Sequence, residues 1–302
     1  RNLAVNIIPP VFRATERRSV GEIRNQGLEF TLNWEDRVSK DFSYYIGGNF
    51  ATLKNQVLSL GGPQYLDGGS AEFRQRSIVG QPFQAFYGYQ VAGVFQNQQQ
   101  IDQSGYTSQF ITENNLQPGD FHFVDQNGDG IINDQDRVVL GSFLPKLTYG
   151  FNMGFTYKNF DVSALVQGQA GYSILNRKRG ELIFTNDTNI DAELAENLWR
   201  GEGTSDRYPS AAGLRKGWNQ NMSDYFVESG SYFRIQNVRI SYNLLDKSLF
   251  GVPMPATRVT FTAERPLTLF NYNGFNPEVA NGIDRQVYPI PAIYTLGLNI
   301  KL

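Results

Sequence analysis

The chain has no cysteine in its 302 residues, so it can form neither a disulfide framework nor a thiolate metal site. It has one histidine, His122, which excludes most histidine-based metal sites and weakens any interpretation as a Ser-His-Asp hydrolase. We expect His122 to be structural or to face solvent. Basic residues are not in excess, since the formal net charge is -2, and this argues against a nucleic-acid partner. No apolar run approaches the roughly 18 residues that a transmembrane helix needs.

Aromatic side chains and glycine are abundant instead. Aromatics make up 14% of the residues, with 22 phenylalanines and 30 glycines, yet the mean hydropathy is -0.38. Membrane β-barrels have this combination, because their strands present one apolar face to lipid and one polar face to water. The composition therefore favours an all-β transmembrane fold.

Long stretches of the sequence alternate between apolar and polar residues. Strict alternation runs through LEFTLNWE at 28–35, YGFNMGFTYK at 149–158 and AIYTLGLNIKL at 292–302. At the C-terminal end, Leu296 and Leu298 would face lipid, and Asn299 and Lys301 would face the lumen. A tilted strand of about ten residues crosses a bilayer, whereas a soluble strand usually ends after about five or six. Strand length therefore favours an antiparallel transmembrane barrel.

The pattern predicts nine strands of such a barrel. They lie at 28–36, 41–52, 71–79, 83–95, 147–158, 160–171, 229–244, 256–270 and 290–302. The connections alternate between short and long, as the periplasmic turns and outer loops of bacterial barrels do. The 71–79 strand rests partly on this parity, and a small hairpin within an outer loop is the alternative there. The predicted outer loop at 96–146 contains the most specific motif of the chain.

That motif is DQNGDGIINDQD at 125–136, which has the register of an EF-hand calcium loop. The predicted ligands are Asp125, Asn127, Asp129, the backbone carbonyl of Ile131, Asn133 and Asp136. Gly130 falls at the sharp turn, and apolar Ile132 would anchor the loop inward. Asp136 replaces the usual glutamate, so we expect modest affinity. A metal-free polar turn is the alternative, since Asn-Gly and Asp-Gly also form hairpin turns.

Several blocks of the sequence resemble one family of membrane proteins. GEIRNQGLEFTLNW resembles a strand of TonB-dependent transporters. Two blocks, PFQAFYGYQVAGVFQNQQQID at 82–102 and the stretch from PGDFHF to GYSILN at 118–176, resemble the SusC/RagA class of these transporters. SYFRIQNVRISYNL and the closing NPEVANGIDRQVYPIPAIYTLGLNIKL do so as well. The resemblance maps residues 1–302 to the C-terminal portion of one barrel domain of about 22 strands. The family's plug domain and TonB-contacting segment would lie before Arg1.

The resemblance implies a function as well as a fold. Such proteins import large nutrients, glycans or oligopeptides, across the outer membrane of Gram-negative bacteria. They work with a SusD-like surface lipoprotein, and the TonB complex supplies energy. In this family, loop elements such as the predicted helix at 189–203 lie where the lipoprotein docks. The charged stretch 177–181 is expected to be a solvated loop face, with contact to a partner as the alternative.

Two other functions are alternatives to import. One is a soluble, calcium-stabilised adhesin or carbohydrate-binding module. The other is an enzyme, for which the acidic pair Asp134 and Asp136 could imitate glycosidase carboxylates. Both aspartates belong to the proposed metal loop, so we expect no enzyme. Loop tyrosines Tyr65, Tyr106 and Tyr208 could stack on sugars or line a partner interface.

Overall fold

The computed structural model describes residues 2–7, 16–70, 74–177, 192–214, 217–244, 248–249, 252–253, 255–285 and 287–301. In these residues the chain is mostly β-structure with a few short helices. The strands are β1 Asn2–Ile7, β2 Glu16–Gln26, β3 Glu29–Arg37, β4 Phe42–Thr52, β5 Lys54–Ser59, β6 Tyr65–Gly68, β7 Gln75–Ile78, β8 Ala85–Gly88, β9 Val91–Val94, β10 Phe121–Phe123, β11 Val138–Gly141, β12 Leu147–Tyr157, β13 Phe160–Ala170, β14 Ser173–Asn176, β15 Val227–Ser229, β16 Tyr232–Leu244, β17 Ser248–Leu249, β18 Val252–Pro253, β19 Thr257–Phe270, β20 Ile283–Asp284 and β21 Ile293–Ile300.

The helices are short and lie between the strands. The α-helices are α1 Gln98–Asp102, α2 Ser108–Glu113, α3 Ala192–Asn197 and α4 Ala211–Leu214, and single 3-10 turns occupy Asp134–Asp136, Gly217–Gln220, Asp224–Phe226 and Ala280–Gly282. Across the residues that the structure describes, none of these helices is long and apolar enough to cross a membrane.

Seven long strands form one antiparallel sheet in the order β21-β19-β16-β13-β12-β4-β3. Each strand of this main sheet pairs with its nearest main-sheet neighbours along the chain, so the topology is an up-and-down meander. Short connections at 38–41, 158–159 and 245–256 alternate with long ones at 53–146, 171–231 and 271–292. The alternation of connection lengths predicted from the sequence is therefore present, with fewer strands.

Two of the nine predicted barrel strands are wrong. Residues 74–79 and 83–95 contribute β7, β8 and β9, which belong to small sheets within the first long connection. These strands have four residues each, about 13 Å of chain, which is too short to span a bilayer. All four residues of β8 are buried, so its two faces are not distinguished as they are in a membrane strand. The alternative of a small hairpin within a loop was correct, and the long connections predicted separately at 53–70 and 96–146 are parts of one connection, 53–146.

The main sheet has one apolar and one polar face. Along β21, Tyr294, Leu296 and Leu298 share a side and are exposed. Leu296 lies opposite Phe261 of β19, and the apolar row continues across the sheet through Ile240, Val162, Phe155 and Tyr44. On β3 the same face carries Trp34, which lies opposite Ile46, so large apolar side chains form a belt across seven strands. The polar face carries Asp161, whose carboxylate is 3.6 Å from Arg239 and 3.3 Å from Arg258.

One strand pair extends beyond the main sheet. β2 runs into β3, and β4 runs into β5, so that β2 and β5 pair as a continuation of the β3–β4 hairpin. The transition occurs at Gly27, where a Cβ atom would collide with the Thr52 carbonyl, and only glycine permits this approach. The extension over residues 16–26 was not predicted, because its charged sequence ERRSVGEIRNQ lacks a long alternating apolar row.

The hydrophobic core lies in the long connections rather than on the main sheet. Its buried residues are Phe86, Tyr89, Val94, Phe95, Ile101, Tyr106, Leu116, Phe121, Phe123, Ile132, Leu175, Leu194, Leu198, Tyr208, Trp218, Met222, Tyr225 and Phe226. They come from residues 53–146 and 171–231, and we call these two connections together the loop module. A soluble protein buries its sheet and exposes its loops, and this chain does the reverse.

Candidate functional site

The two halves of the loop module are joined by buried hydrogen bonds. The indole Nε1 of Trp218 donates to the carbonyl of Phe121 at 2.8 Å. Beside it, Asn219 accepts from the Phe121 N–H at 2.7 Å and donates to Asp120 at 2.8 Å. These groups are buried, so each hydrogen bond offsets the cost of removing its donor and acceptor from water. Breaking the bond between buried groups would restore that cost. The two loops therefore form one packed unit.

A second junction between the two loops is centred on Gln96. Its Oε1 accepts from the indole of Trp199 at 3.1 Å and from the Gly203 N–H at 2.8 Å. Its Nε2 donates to the carbonyls of Val94 and Ser205. No sequence pattern marks Gln96 as important, since glutamine is common in polar loops. Its role is visible only when both loops are in place.

The third long connection, 271–292, docks against the same module. Asn273 donates its N–H to the Glu228 carboxylate at 2.6 Å, and its carbonyl accepts from Asn176 at 2.9 Å. Nearby, Tyr172 donates to the carbonyl of Pro277 at 3.0 Å. These contacts hold the last long loop against the second one, 171–231.

The aromatic residues singled out in the sequence are mainly structural. His122 is half-buried, with its ring 4.6 Å from that of Phe95, and burial lowers its pKa. Tyr106 and Tyr208 are buried in the core, so the prediction that they contact sugars or a partner is wrong. Tyr65 is exposed, but its ring packs 4.1 Å from the guanidinium of Arg76.

The predicted loop helix is present over Ala192–Asn197, within the predicted range 189–203. Leu194 on this helix and Leu198 directly after it are both buried in the core of the loop module. Residues 189–191 at the start of the predicted helix and residues 178–181 of the charged stretch lie outside the described residues, and Arg177, the first residue of that stretch, is buried rather than solvated. The leucines four residues apart thus anchor this helix to the module.

The predicted calcium loop is a compact turn held by its own side chains. Asp125 accepts from the N–H groups of Gly128 at 2.7 Å and Gly130 at 2.8 Å. Desolvation acts to raise the pKa of Asp125, but these backbone donors hold the pKa below its usual value. Gly128 and Gly130 have φ angles of 75° and 80°, a region that glycine enters without strain.

The end of the loop is fixed by Asp136, which is fully buried. Its carboxylate accepts from the N–H groups of Gln126 at 2.9 Å and Asn133 at 2.7 Å. Ile132 is buried in the module's core and Ile131 is exposed, which confirms the inward anchor predicted at Ile132. A strand precedes the loop and a 3-10 turn ends it, so it is not a helix–loop–helix unit.

The donor set is of the kind that calcium prefers, because it supplies three carboxylates, two side-chain amides and one carbonyl. The backbone hydrogen bonds use part of the lone-pair capacity of each carboxylate and leave the rest available. Within the described ranges, no three His, Cys, Asp or Glu side chains are gathered closely enough to hold a metal ion. A bound ion would therefore require the carboxylates of the loop to move closer together.

The adjacent acidic residue Asp134 takes a different position. It forms ion pairs with Arg137 and, at 3.9 Å, with Arg74. Asp134 thus contacts two cations, whereas Asp136 is committed to backbone donors. This arrangement does not provide the free carboxylate pair that glycoside hydrolysis needs.

Similarity to known proteins decides the family. Over 303 residues, 95% of the chain, the sequence is 32% identical to TonB-dependent receptor P26 of Formosa agariphila. It is 30% identical over 307 residues to receptor P3 of the same organism, and 26% identical over 299 residues to TonB-dependent receptor SusC of Bacteroides thetaiotaomicron. The chain belongs to the TonB-dependent receptors. The matched relatives are receptors rather than enzymes.

Solved structures support the fold of this TonB-dependent receptor segment. The RagAB peptide importer in its open-open state superposes with a TM-score of 0.74 at 19% identity, over 98% of the chain and 31% of that structure's chain. No protein-family model matches the sequence. The chain spans about 30% of the length of the curated receptors P3 and P26 and 27% of SusC.

Proposed function

We propose that the chain forms part of the wall of a closed outer-membrane barrel of about 22 strands that imports large nutrients. The observation that carries this proposal is the exposed apolar belt across seven antiparallel strands, backed by a polar face. In a bilayer the belt faces hydrocarbon and the polar face lines the lumen. A soluble adhesin would expose the same belt to water, which makes the alternative function unfavourable.

The polar face of the main sheet and the loop module have separate roles in this proposal. Polar residues such as Asn33, Asn152 and the Arg239–Asp161–Arg258 cluster line the passage. The loop module lies at the outer mouth, where it meets the nutrient and a SusD-like surface lipoprotein. Energy comes from the TonB complex through parts of the receptor other than the described strands.

The similar proteins support a proposal for the class of nutrient. One structural neighbour is named a peptide importer, and SusC-type receptors resemble the chain along nearly its whole length. We therefore propose glycans or oligopeptides too large for passive porins as cargo.

Deletion of the encoding gene tests the import proposal. The deletion strain should lose growth on one class of large nutrient, either a glycan or an oligopeptide mixture, as sole source. Growth on the corresponding monosaccharides or amino acids should remain normal, and the intact gene should restore the phenotype. Unchanged growth on every large nutrient, or recovery of the protein in the soluble fraction, contradicts import.

We further propose that residues 125–136 bind calcium. Asp125, Asn127, Asp129, Ile131, Asn133 and Asp136 have the EF-hand register, and the loop is already folded around its own N–H groups. The ion would add cross-links between the two ends of the loop. It would thereby stabilise the neighbouring turn, because Gly130 accepts from the N–H of Thr107, the residue that caps α2.

The calcium proposal predicts a metal-dependent stability of the loop module. Removing calcium from the full-length receptor should increase hydrogen exchange over residues 105–140 and leave the main sheet unchanged. Asp125→Asn with Asp129→Asn should give the same increase and abolish the response to calcium, because two of three carboxylates are lost. Asp102→Asn, which removes a carboxylate on α1 outside the loop, is the control. Exchange rates that are identical with and without millimolar calcium contradict the proposal.

A further inference from the structure

A polar cleft of about 990 Å³ opens between the two halves of the loop module. One wall comes from β9, α1 and the turn after α1, and includes Gly93, Gln100 and Ser104. The opposite wall is the 202–206 turn, and His122 also contributes to the lining. The volume is at the upper end of the range of ligand pockets in proteins.

The walls of the cleft are held in place before any ligand arrives. Gln96 bridges them, since its side chain bonds to Val94 in the first loop and to Trp199, Gly203 and Ser205 in the second. Asn97 adds a bond to the Glu202 carboxylate at 2.7 Å. A preformed cleft loses less conformational freedom on binding than a flexible one.

The lining of the cleft is negatively charged. It includes the carboxylates of Glu202 and Asp206, and no lysine or arginine is among its described lining residues. The Asp206 carboxylate forms no hydrogen bond or ion pair with the residues that the structure describes. The adjacent Arg207 packs over the ring of Tyr208 at 5.6 Å and does not line the cleft. Burial lowers the pKa of His122, so its imidazole is uncharged at neutral pH and offsets neither carboxylate.

The other lining groups suit peptide units better than sugar rings. Gln100, Gln103 and Ser104 offer amide and hydroxyl groups that can both donate and accept hydrogen bonds. No Phe, Tyr or Trp side chain is among the described lining residues, so a flat hydrophobic surface for a sugar is missing. The imidazole of His122 does not replace it, because one face of that ring is stacked on Phe95.

We propose that this cleft is a binding subsite for the positively charged part of an oligopeptide, a lysine or arginine side chain or a free amino terminus. Glu202 and Asp206 recognise the charge, and the amide and hydroxyl groups of α1 and its following turn bind the peptide units. The proposal rests on the import function and narrows its substrate to peptides with a cationic group.

Binding to the full-length receptor, purified in detergent, tests the subsite. The probes are amidated, N-acetylated pentapeptides of glycine with a central lysine or a central glutamate, and maltopentaose. The lysine peptide should bind more tightly than the other two. Glu202→Gln with Asp206→Asn should weaken binding of the lysine peptide by about two- to thirtyfold, as expected for two solvent-exposed charge contacts. Glu113→Gln, an exposed carboxylate on α2 outside the cleft, should leave binding unchanged.

Equal binding of the lysine and glutamate peptides, preference for maltopentaose, absence of binding, or unchanged affinity in the double variant overturns the subsite. An unchanged tryptic digestion pattern establishes that the double variant is folded. If deletion of the gene abolishes growth on a large nutrient but the receptor fails the binding test, only the subsite is refuted. Failure of the growth test itself refutes the import function.

Discussion

Replacing Trp218 with alanine should destabilise the loop module by about 3–5 kcal/mol, the usual cost of removing a buried tryptophan. The Trp218 ring lies 5.0 Å from the ring of Phe123 and 5.6 Å from that of Phe110, and its Nε1 donates to Phe121. The substitution leaves a cavity and an unpaired carbonyl where the two loops meet. Hydrogen exchange on the full-length receptor should rise in both halves of the module and remain low in the main sheet.

Trp34 provides a matched control for that experiment. Trp34 is 60% exposed on the apolar face of β3, and its Nε1 donates to Tyr44. Trp34→Ala should leave exchange in the loop module unchanged, since Trp34 is not among the residues of that core. If Trp218→Ala leaves exchange in the loop module at the wild-type rate, the two loops do not share one core.

Residues 1–302 expressed alone should not form a heat-stable monomer in detergent. In the described part of the chain, β3 pairs only with β4, and β21 only with β19, so the main sheet has two long edges. In an apolar medium each unpaired N–H or C=O costs several kcal/mol. The isolated chain should therefore aggregate, whereas the same strands should be stable in the full-length receptor.

Size-exclusion chromatography and heat-modifiability on gels distinguish an aggregate from a heat-stable monomer. Co-expression of the remaining receptor sequence on a second chain should rescue the fragment if missing strands are the cause. A monodisperse, protease-resistant particle from the isolated chain would contradict the open edges of the sheet.

The main sheet was largely predictable because a bilayer imposes a local rule. In a strand long enough to cross the bilayer, residues two apart must share polarity. β12 and β21 follow that rule closely. Strands within the loop module follow no such rule. β8 is buried on both faces, so AFYG carries no alternation that could distinguish it from a segment of a membrane strand.

The calcium motif could be recognised in the sequence, whereas the cleft could not. The motif is a continuous stretch of sequence whose spacing is informative by itself, and its inward anchor Ile132 was predictable. The cleft brings together Ser104 and Asp206, whose proximity depends on contacts between loops such as that of Trp218 with Phe121. Such long-range juxtapositions have no local sequence signal.

Spin labels at neighbouring positions test the central claim, that one face of the main sheet contacts lipid, most directly. Single cysteines at Leu296 and Gly297, and at Phe151 and Asn152, can be labelled in the full-length receptor after reconstitution. Labels at 296 and 151 should be more accessible to lipid-soluble oxygen, and labels at 297 and 152 to a water-soluble nickel complex, because successive residues of a strand point to opposite faces. Equal accessibility to oxygen at 296 and 297, and at 151 and 152, would contradict the account.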